Sequence, residues 1–213
     1  LFGDVPPNPT DASIARGAAA FAAHAADSVV ALGGGSGLDA GKAIAMVARS
    51  GLSLADLDWE RSPPAAVAAG AFPPVVCVPT TAGTGAEMDS ASMYTDTAAR
   101  VKRCVSHPQA TAALSVIADP SVTRSLPADL TAWTGLDALT HALEALSVDS
   151  YHPMADAIAL EAVALVHEWL PRAVAAPRDA DARAHMLCAS SMAAVAFHKV
   201  CDSLPLTIIT TNT

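Results

Sequence analysis

The order of patterns along this chain predicts an α/β half followed by an all-helical half. Twice, at DSVVALGGGS and at PPVVCVPTTAGTG, a short apolar run empties into a turn rich in glycine or threonine. The first of these turns leads into a helical pattern, and strand, glycine turn, helix is the unit of a parallel α/β sheet. From about residue 119 onward only helical periodicity remains. The boundary is therefore placed there, with residues 1–119 as the α/β part and 120–213 as the helical part.

The elements follow in order. Residues 1–9 are proline-rich and irregular, and Thr10 or Asp11 can cap a helix through SIARGAAAFAAHAA. Ser28 to Leu32 reads as a buried strand. A helix follows over about Leu38 to Arg49, with Ile44 and Val47 on its apolar side. Residues 51–73 hold prolines and charges without a period and form a connection. PPVVCVP is the second buried strand. Ser92–Thr95 and Val101–Val105 pair around a turn at Asp96–Arg100, and Leu114–Ala118 is a last strand ended by Asp119-Pro120. Helices are expected over 129–148, 153–175 and 179–199, with Pro153 suited to a first turn and Pro127, Pro171 and Pro177 as punctuation.

Composition narrows the setting. Apolar residues are 52% of the 213 and charged residues 15%, enough for a buried core, and much of the apolar share is alanine, which suits closely packed helices. No apolar run is long enough to span a bilayer, and the first ten residues, LFGDVPPNPT, do not read as a signal peptide, so a cytoplasmic protein is expected. The net charge of −9 argues against nucleic acid or an anionic membrane as partner. Cys77, Cys104, Cys188 and Cys201 have no metal-site spacing and are expected to be reduced and mostly buried.

Three places carry chemistry. Asp137 and His141 lie four apart in a helical segment and so share a face; the pair can hold a divalent cation or simply share a hydrogen bond. GGGS at 33–36 joins a strand to a helix, where bare backbone and a helix N-terminus can seat a phosphate, or form a plain tight turn; it is not the usual dinucleotide fingerprint, since Leu38 takes the place of the last glycine. PTTAGTG at 79–85 offers three hydroxyls and two glycines after a strand, a ligand loop or a turn with local hydrogen bonds. Taken alone, Lys42 and Lys102 read as ordinary lysines, Glu87 as a surface carboxylate near the loop, and His24, His167 and His185 as core or surface histidines.

A resemblance sharpens these readings. GLDALTHALEAL at 135–146, HPMADAIALEAV at 152–163, GGGSGLDAGKA at 33–43, PTTAGTGAE at 79–87 and ADPSVTRSLPADLTAWTG at 118–135 resemble, in order, the iron-containing (group III) alcohol dehydrogenases, over roughly residues 5–199. The resemblance implies a Rossmann-like NAD(P)-binding domain at 1–119 without its first strand–helix unit, and a helical metal-binding domain at 120–213 without its last helices. It assigns Gly35, Ser36, Asp39, Thr80, Thr81, Thr84 and Lys102 to NAD or NADP, and Asp137 and His141 to Fe²⁺ or Zn²⁺, with Glu144 as support. The reaction it implies is hydride transfer between a primary alcohol or hydroxy acid and NAD(P)⁺, in an intact parent that is a homo-oligomer acting on small alcohols and aldehydes. A glycerol dehydrogenase-like or maleylacetate reductase-like enzyme, or a non-catalytic remnant, are the alternatives.

The family's other two metal ligands, both histidines, are expected after His198, where the chain reads VCDSLPLTIITTNT and the resemblance stops. The tail is expected to be a frame-shifted or mis-joined remnant. Read from the third base of each codon, LTIITT gives triplets ending AC or AT, which encode only His, Asn, Tyr or Asp. The helices at 129–199 are expected to leave apolar faces uncovered, which marks interfaces or aggregation.

Overall fold

A computed structural model describes residues 1–60, 64–89, 91–111 and 114–203. The chain divides into two compact units, one of Leu1–Thr81 with Ala86–Thr123, the other of Ala82–Gly85 with Arg124–Thr213. Most of the unusual tail, residues 204–213, lies outside the described residues.

In the first unit, α1 (Asp11–Ala23) begins where Thr10 caps it. Thr10 Oγ1 accepts the Ser13 N–H, Ser13 Oγ accepts the Thr10 N–H, and Asp11 adds negative charge to the first turn. β1 (Val29–Gly33) leads through Gly34 into α2 (Gly35–Ser50), and β2 (Val75–Pro79) follows the long connection. A hairpin of β3 (Ser92–Asp96) and β4 (Val101–Val105), a single turn α3 (Pro108–Thr111) and β5 (Leu114–Val116) complete it. The parallel sheet has the order β1-β2-β5, with Ala31 beside Cys77 and Cys77 beside Val116. The hairpin is a separate antiparallel pair, its turn held by Asp96, whose carboxylate takes the N–H groups of Ala98 and Ala99 and pairs with Arg103 Nε at 2.8 Å.

Helix α2 starts three residues before the expected Leu38. The Leu38 N–H reaches the Gly34 carbonyl at 3.0 Å, closing a first turn made of Gly35, Ser36 and Gly37, and the helix ends at Gly51 in the left-handed conformation, φ 74°. Two short 3₁₀ turns, Ala86–Met88 and Pro120–Thr123, carry no sequence signal that announces them.

The core of this unit is built from large side chains. Ile14, Phe21, Ile44, Met46, Leu57, Phe72, Tyr94 and Val105 form one cluster, and Leu38, Val75 and Cys77 fill the space between α2 and the sheet. Gly41 lets α2 lie directly on β1, since a Cβ there would fall 2.4 Å from the Ala31 Cβ. The alternation of a strand is plain in β1: Ala31 is buried, while Val30 and Leu32 are 68% and 62% exposed.

The second unit is three helices, α4 (Ala128–Ser147), α5 (Pro153–Ala175) and α6 (Ala180–Ser203). Pro153 opens α5 as expected, with His152 Nδ1 accepting the Ala155 N–H, and Asp179 Oδ1 caps α6 through the N–H groups of Asp181 and Ala182. Pro171 does not punctuate; it lies inside α5. It denies an N–H only to the carbonyl of His167, four residues back, and His167 is exposed, so water can serve that oxygen. Ten alanines, among them Ala138, Ala142, Ala159, Ala162, Ala189 and Ala193, make up most of the buried core, with Val166, Leu170 and Met186. Buried Arg183 ties α6 to the start of α4, Nη1 donating to Thr131 Oγ1 at 2.9 Å and Nε to the Pro177 carbonyl at 3.1 Å. Cys77 is buried and Cys104 half-buried, but Cys188 is exposed, against expectation, because it faces away from the alanine core. Among the described residues no helix is long and apolar enough to cross a membrane.

Candidate functional site

The glycine turn presents bare backbone at a helix start. Gly35 and Ser36 occupy the first two positions of α2, where backbone N–H groups have no partner within the helix. The other long helices among the described residues are neutralised at their starts: α1, α5 and α6 have side-chain caps and an acidic residue in the first turn, and α4 has Asp129. α2 has neither a capping side chain nor an acid there, so its positive end is left for an outside anion. Ser36 Oγ accepts the backbone N–H of Asn8 at 3.2 Å, which leaves the hydroxyl proton of Ser36 to donate. Asn8 is held at φ 58°, a left-handed conformation uncommon outside glycine. It was not singled out from sequence. The only signal was an asparagine, the non-glycine residue most at ease in that conformation, set between two prolines.

Beside this turn lie the first residues of the threonine loop. The Thr80 N–H donates to the Gly33 carbonyl at 2.9 Å. Gly34 gives Thr81 room: a Cβ there would come within 3.2 Å of Thr81 Cγ2. Thr80 and Thr81 are half-buried, and Lys102, opposite Thr95 in the hairpin ladder, is exposed.

Lys42 and Glu87, which sequence placed at the surface, are buried, and Asp39 pairs with Lys42. Lys42 is 2% exposed, not solvated. Its ammonium donates to the carbonyls of Ala86 at 2.6 Å, Ala91 at 2.5 Å and Asp89 at 3.0 Å, and lies 3.2 Å from Asp39 Oδ1. Asp39, expected at the cofactor, is turned to Lys42 and to the backbone of Met93; burial raises its pKa, and Lys42 opposes the rise. Glu87 is buried rather than a surface carboxylate. Burial also pushes up the thiol of Cys77. Residues 44 to 49 positions beyond Lys42 supply the carbonyls, and no local pattern encodes such a partnership.

In the second unit the latter half of the loop, Ala82–Gly85, packs on the helices. Gly83 is buried against α4, where a Cβ would meet the carbonyl of Thr134 at 2.9 Å. Gly85, at φ 62°, is set against α6, where a Cβ would fall 2.8 Å from the Ser190 carbonyl. Thr84 between them is exposed. Thr134 is three residues before Asp137, so the loop lies one turn from the acid–histidine pair on α4.

Asp137 and His141 are both half-buried on α4. The His141 ring packs against Phe197 of α6, centroids 4.8 Å apart, and its Nδ1 is buried with no hydrogen-bond partner among the described residues. A buried ring nitrogen left without a proton partner is a nitrogen free for a metal ion. Among the described residues no group of three or more His, Cys, Asp and Glu converges, so these two donors fit part of a metal site. The remaining histidines serve elsewhere. His152 is a helix cap, His185 stacks on Trp169 with centroids 3.9 Å apart, and His107 Nε2 lies 2.9 Å from the Ala65 carbonyl. His24, His167 and His198 are exposed, and Glu144 is half-buried.

Comparison with known proteins identifies the family. Residues 1–120 match the family model of iron-containing alcohol dehydrogenase, and residues 131–206 match the C-terminal domain of the Fe-containing alcohol dehydrogenase family. The second match runs past Lys199, where the sequence alone showed no resemblance. The chain is 39% identical to an NAD-dependent methanol dehydrogenase of Bacillus methanolicus over 93% of its length and 50% of that protein. It is 37% identical to a 1,3-propanediol dehydrogenase of Klebsiella pneumoniae, with 93% and 50% covered. The solved structure of a sulfoacetaldehyde reductase from Bifidobacterium kashiwanohense, in complex with NAD⁺, superposes with a TM-score of 0.82 at 34% identity, over 92% of this chain and 50% of that one. The chain thus spans about half the length of the relatives it matches. With a parallel α/β part, a helical part and both halves of the family's sequence pattern, this chain belongs to the iron-containing alcohol dehydrogenase family.

Proposed function

We propose that this chain is part of an oxidoreductase that moves a hydride between a small primary alcohol and NAD⁺, with the aldehyde as product. The observation that carries the reading is the start of α2, the one long helix here whose positive end meets neither cap nor acid. There the N–H groups of Gly35 and Ser36 and the Ser36 hydroxyl bind the pyrophosphate. Thr80 and Thr81 offer hydroxyls to the rest of the dinucleotide, and Lys102 adds a cation at the hairpin. NAD rather than NADP follows the relatives whose names state a cofactor, and a small alcohol follows their methanol and 1,3-propanediol. The net charge of −9 keeps polyanions from competing for the site.

Asp137 and His141 would hold the divalent ion, Fe²⁺ or Zn²⁺, with further ligands from outside the described residues. Such an ion acidifies an alcohol bound to it. Phe197 limits the rotation of the His141 ring. A non-catalytic nucleotide-binding remnant is the second reading, favoured by the lack of a third metal ligand among the described residues.

One experiment separates the readings: NADH fluorescence titration together with iron and zinc analysis of the purified chain. Saturable NADH binding with bound metal that is lost in Asp137→Ala is expected. NADH binding without metal would favour the remnant, and absence of both would overturn the proposal.

A further inference from the structure

Lys42 is an expensive residue to bury. Removing an ammonium from water carries a large desolvation penalty even after relaxation, and an apolar side chain of the same length would avoid it. What an apolar side chain cannot do is satisfy carbonyls. The stretch after the threonine loop makes only one 3₁₀ turn, Ala86–Met88, and the carbonyls of Ala86, Asp89 and Ala91 converge on the Lys42 ammonium. Its three N–H bonds are spent on them, with Asp39 balancing the charge at 3.2 Å. None is left for a ligand. Lys42 is the eighth residue of the helix whose first two residues form the anion seat, and the same unit holds Thr80 and Thr81 against Gly33 and Gly34.

We propose that Lys42 is a positioning residue for the dinucleotide seat. Its buried ammonium gathers the Ala86, Asp89 and Ala91 carbonyls onto α2 and so holds the helix tip and the exit of β2 at the spacing a pyrophosphate needs. The proposal rests on the dinucleotide reading above. It assigns Lys42 and Asp39 an indirect part in binding, in contrast to Gly35 and Ser36, which touch the phosphates.

The test is an NADH titration of the 213-residue chain and of Lys42→Gln at several salt concentrations, with circular dichroism confirming that the variant is folded at the assay temperature. The expected result is a Kd raised about tenfold or more, as orphaned carbonyls let the segment drift, with the slope of log Kd against log salt unchanged. A Kd equal to that of the parent would overturn the proposal and make Lys42 a stability residue only. A flattened slope would overturn it in another way, by showing a direct phosphate contact. Should Lys42→Gln fail to fold, Asp39→Asn, which keeps the volume and removes only the counter-charge, decides: a two- to five-fold weakening, on the order expected for a lost anchor, supports the proposal, and no change overturns it. A parent chain that binds no NADH overturns the cofactor reading and this role with it, whereas a parent that binds and variants that bind equally well overturn the positioning role alone.

Discussion

The two units solve the problem of a core in opposite ways. The α/β unit fills its interior with Ile, Phe, Met, Leu and Tyr, and places a charged lysine among them. The helical unit fills its interior with alanine and carries Trp133, Leu136 and Leu143, each at least half exposed, on the outside of α4. Large residues inside give stability through area removed from water. Small residues inside give close helix approach and little area. The first unit should therefore be vulnerable to truncation and the second to enlargement.

Substitutions can break that contrast. Ile14→Ala, at a site 1% exposed, should cost about 3 kcal/mol through lost transfer energy and the cavity left behind. A urea midpoint within error of the parent would end the contrast on that side. Ala159→Leu, at a site with no exposure between α5 and its neighbours, should cost about 2 kcal/mol by overpacking; a variant more stable than the parent would show that the alanine core has slack. Thr10→Ala removes the side-chain half of the capping box on α1, leaving the Thr10 N–H on Ser13 Oγ, and should cost about 1 kcal/mol, a smaller loss because the site is at a helix end rather than in a core.

The smallest effect is in pH and touches both units alike. The N–H of Ala99 and then Arg103 hold the Asp96 carboxyl below its ordinary value near 3.8, and the N–H of Ala182 and then Arg172 do the same for Asp179. A carboxyl lowered by folding stabilises fully above its unfolded value and loses that contribution as pH falls through the folded one. Both turns should thus be indifferent from neutrality down to about pH 4 and weaken only below it. Asp96→Asn and Asp179→Asn should flatten the acid limb of the stability curve, and an unchanged limb would show that other carboxylates dominate it.

The sequence made the order of elements legible because periodicity and punctuation are local. Strand, glycine turn and helix sit within one residue or one turn of where the pattern puts them. The Asp137–His141 pair was legible for the same reason, being one helical turn apart. What stayed hidden was long-range. The burial of Lys42 depends on carbonyls 44 and more residues away, and Pro171 stays inside α5 where His167, whose carbonyl it leaves without a donor, is exposed. Asn8 touches Ser36 across 28 positions by a backbone N–H, a group that no side-chain pattern reveals.

The alanine interior also sets how the helical unit answers to temperature. The heat capacity of unfolding grows with the apolar area newly wetted. A core of methyl groups exposes less of it per residue than a core of isoleucine and phenylalanine. The three-helix unit should trace the flatter stability curve of the two, losing less on cooling and yielding more gradually on warming.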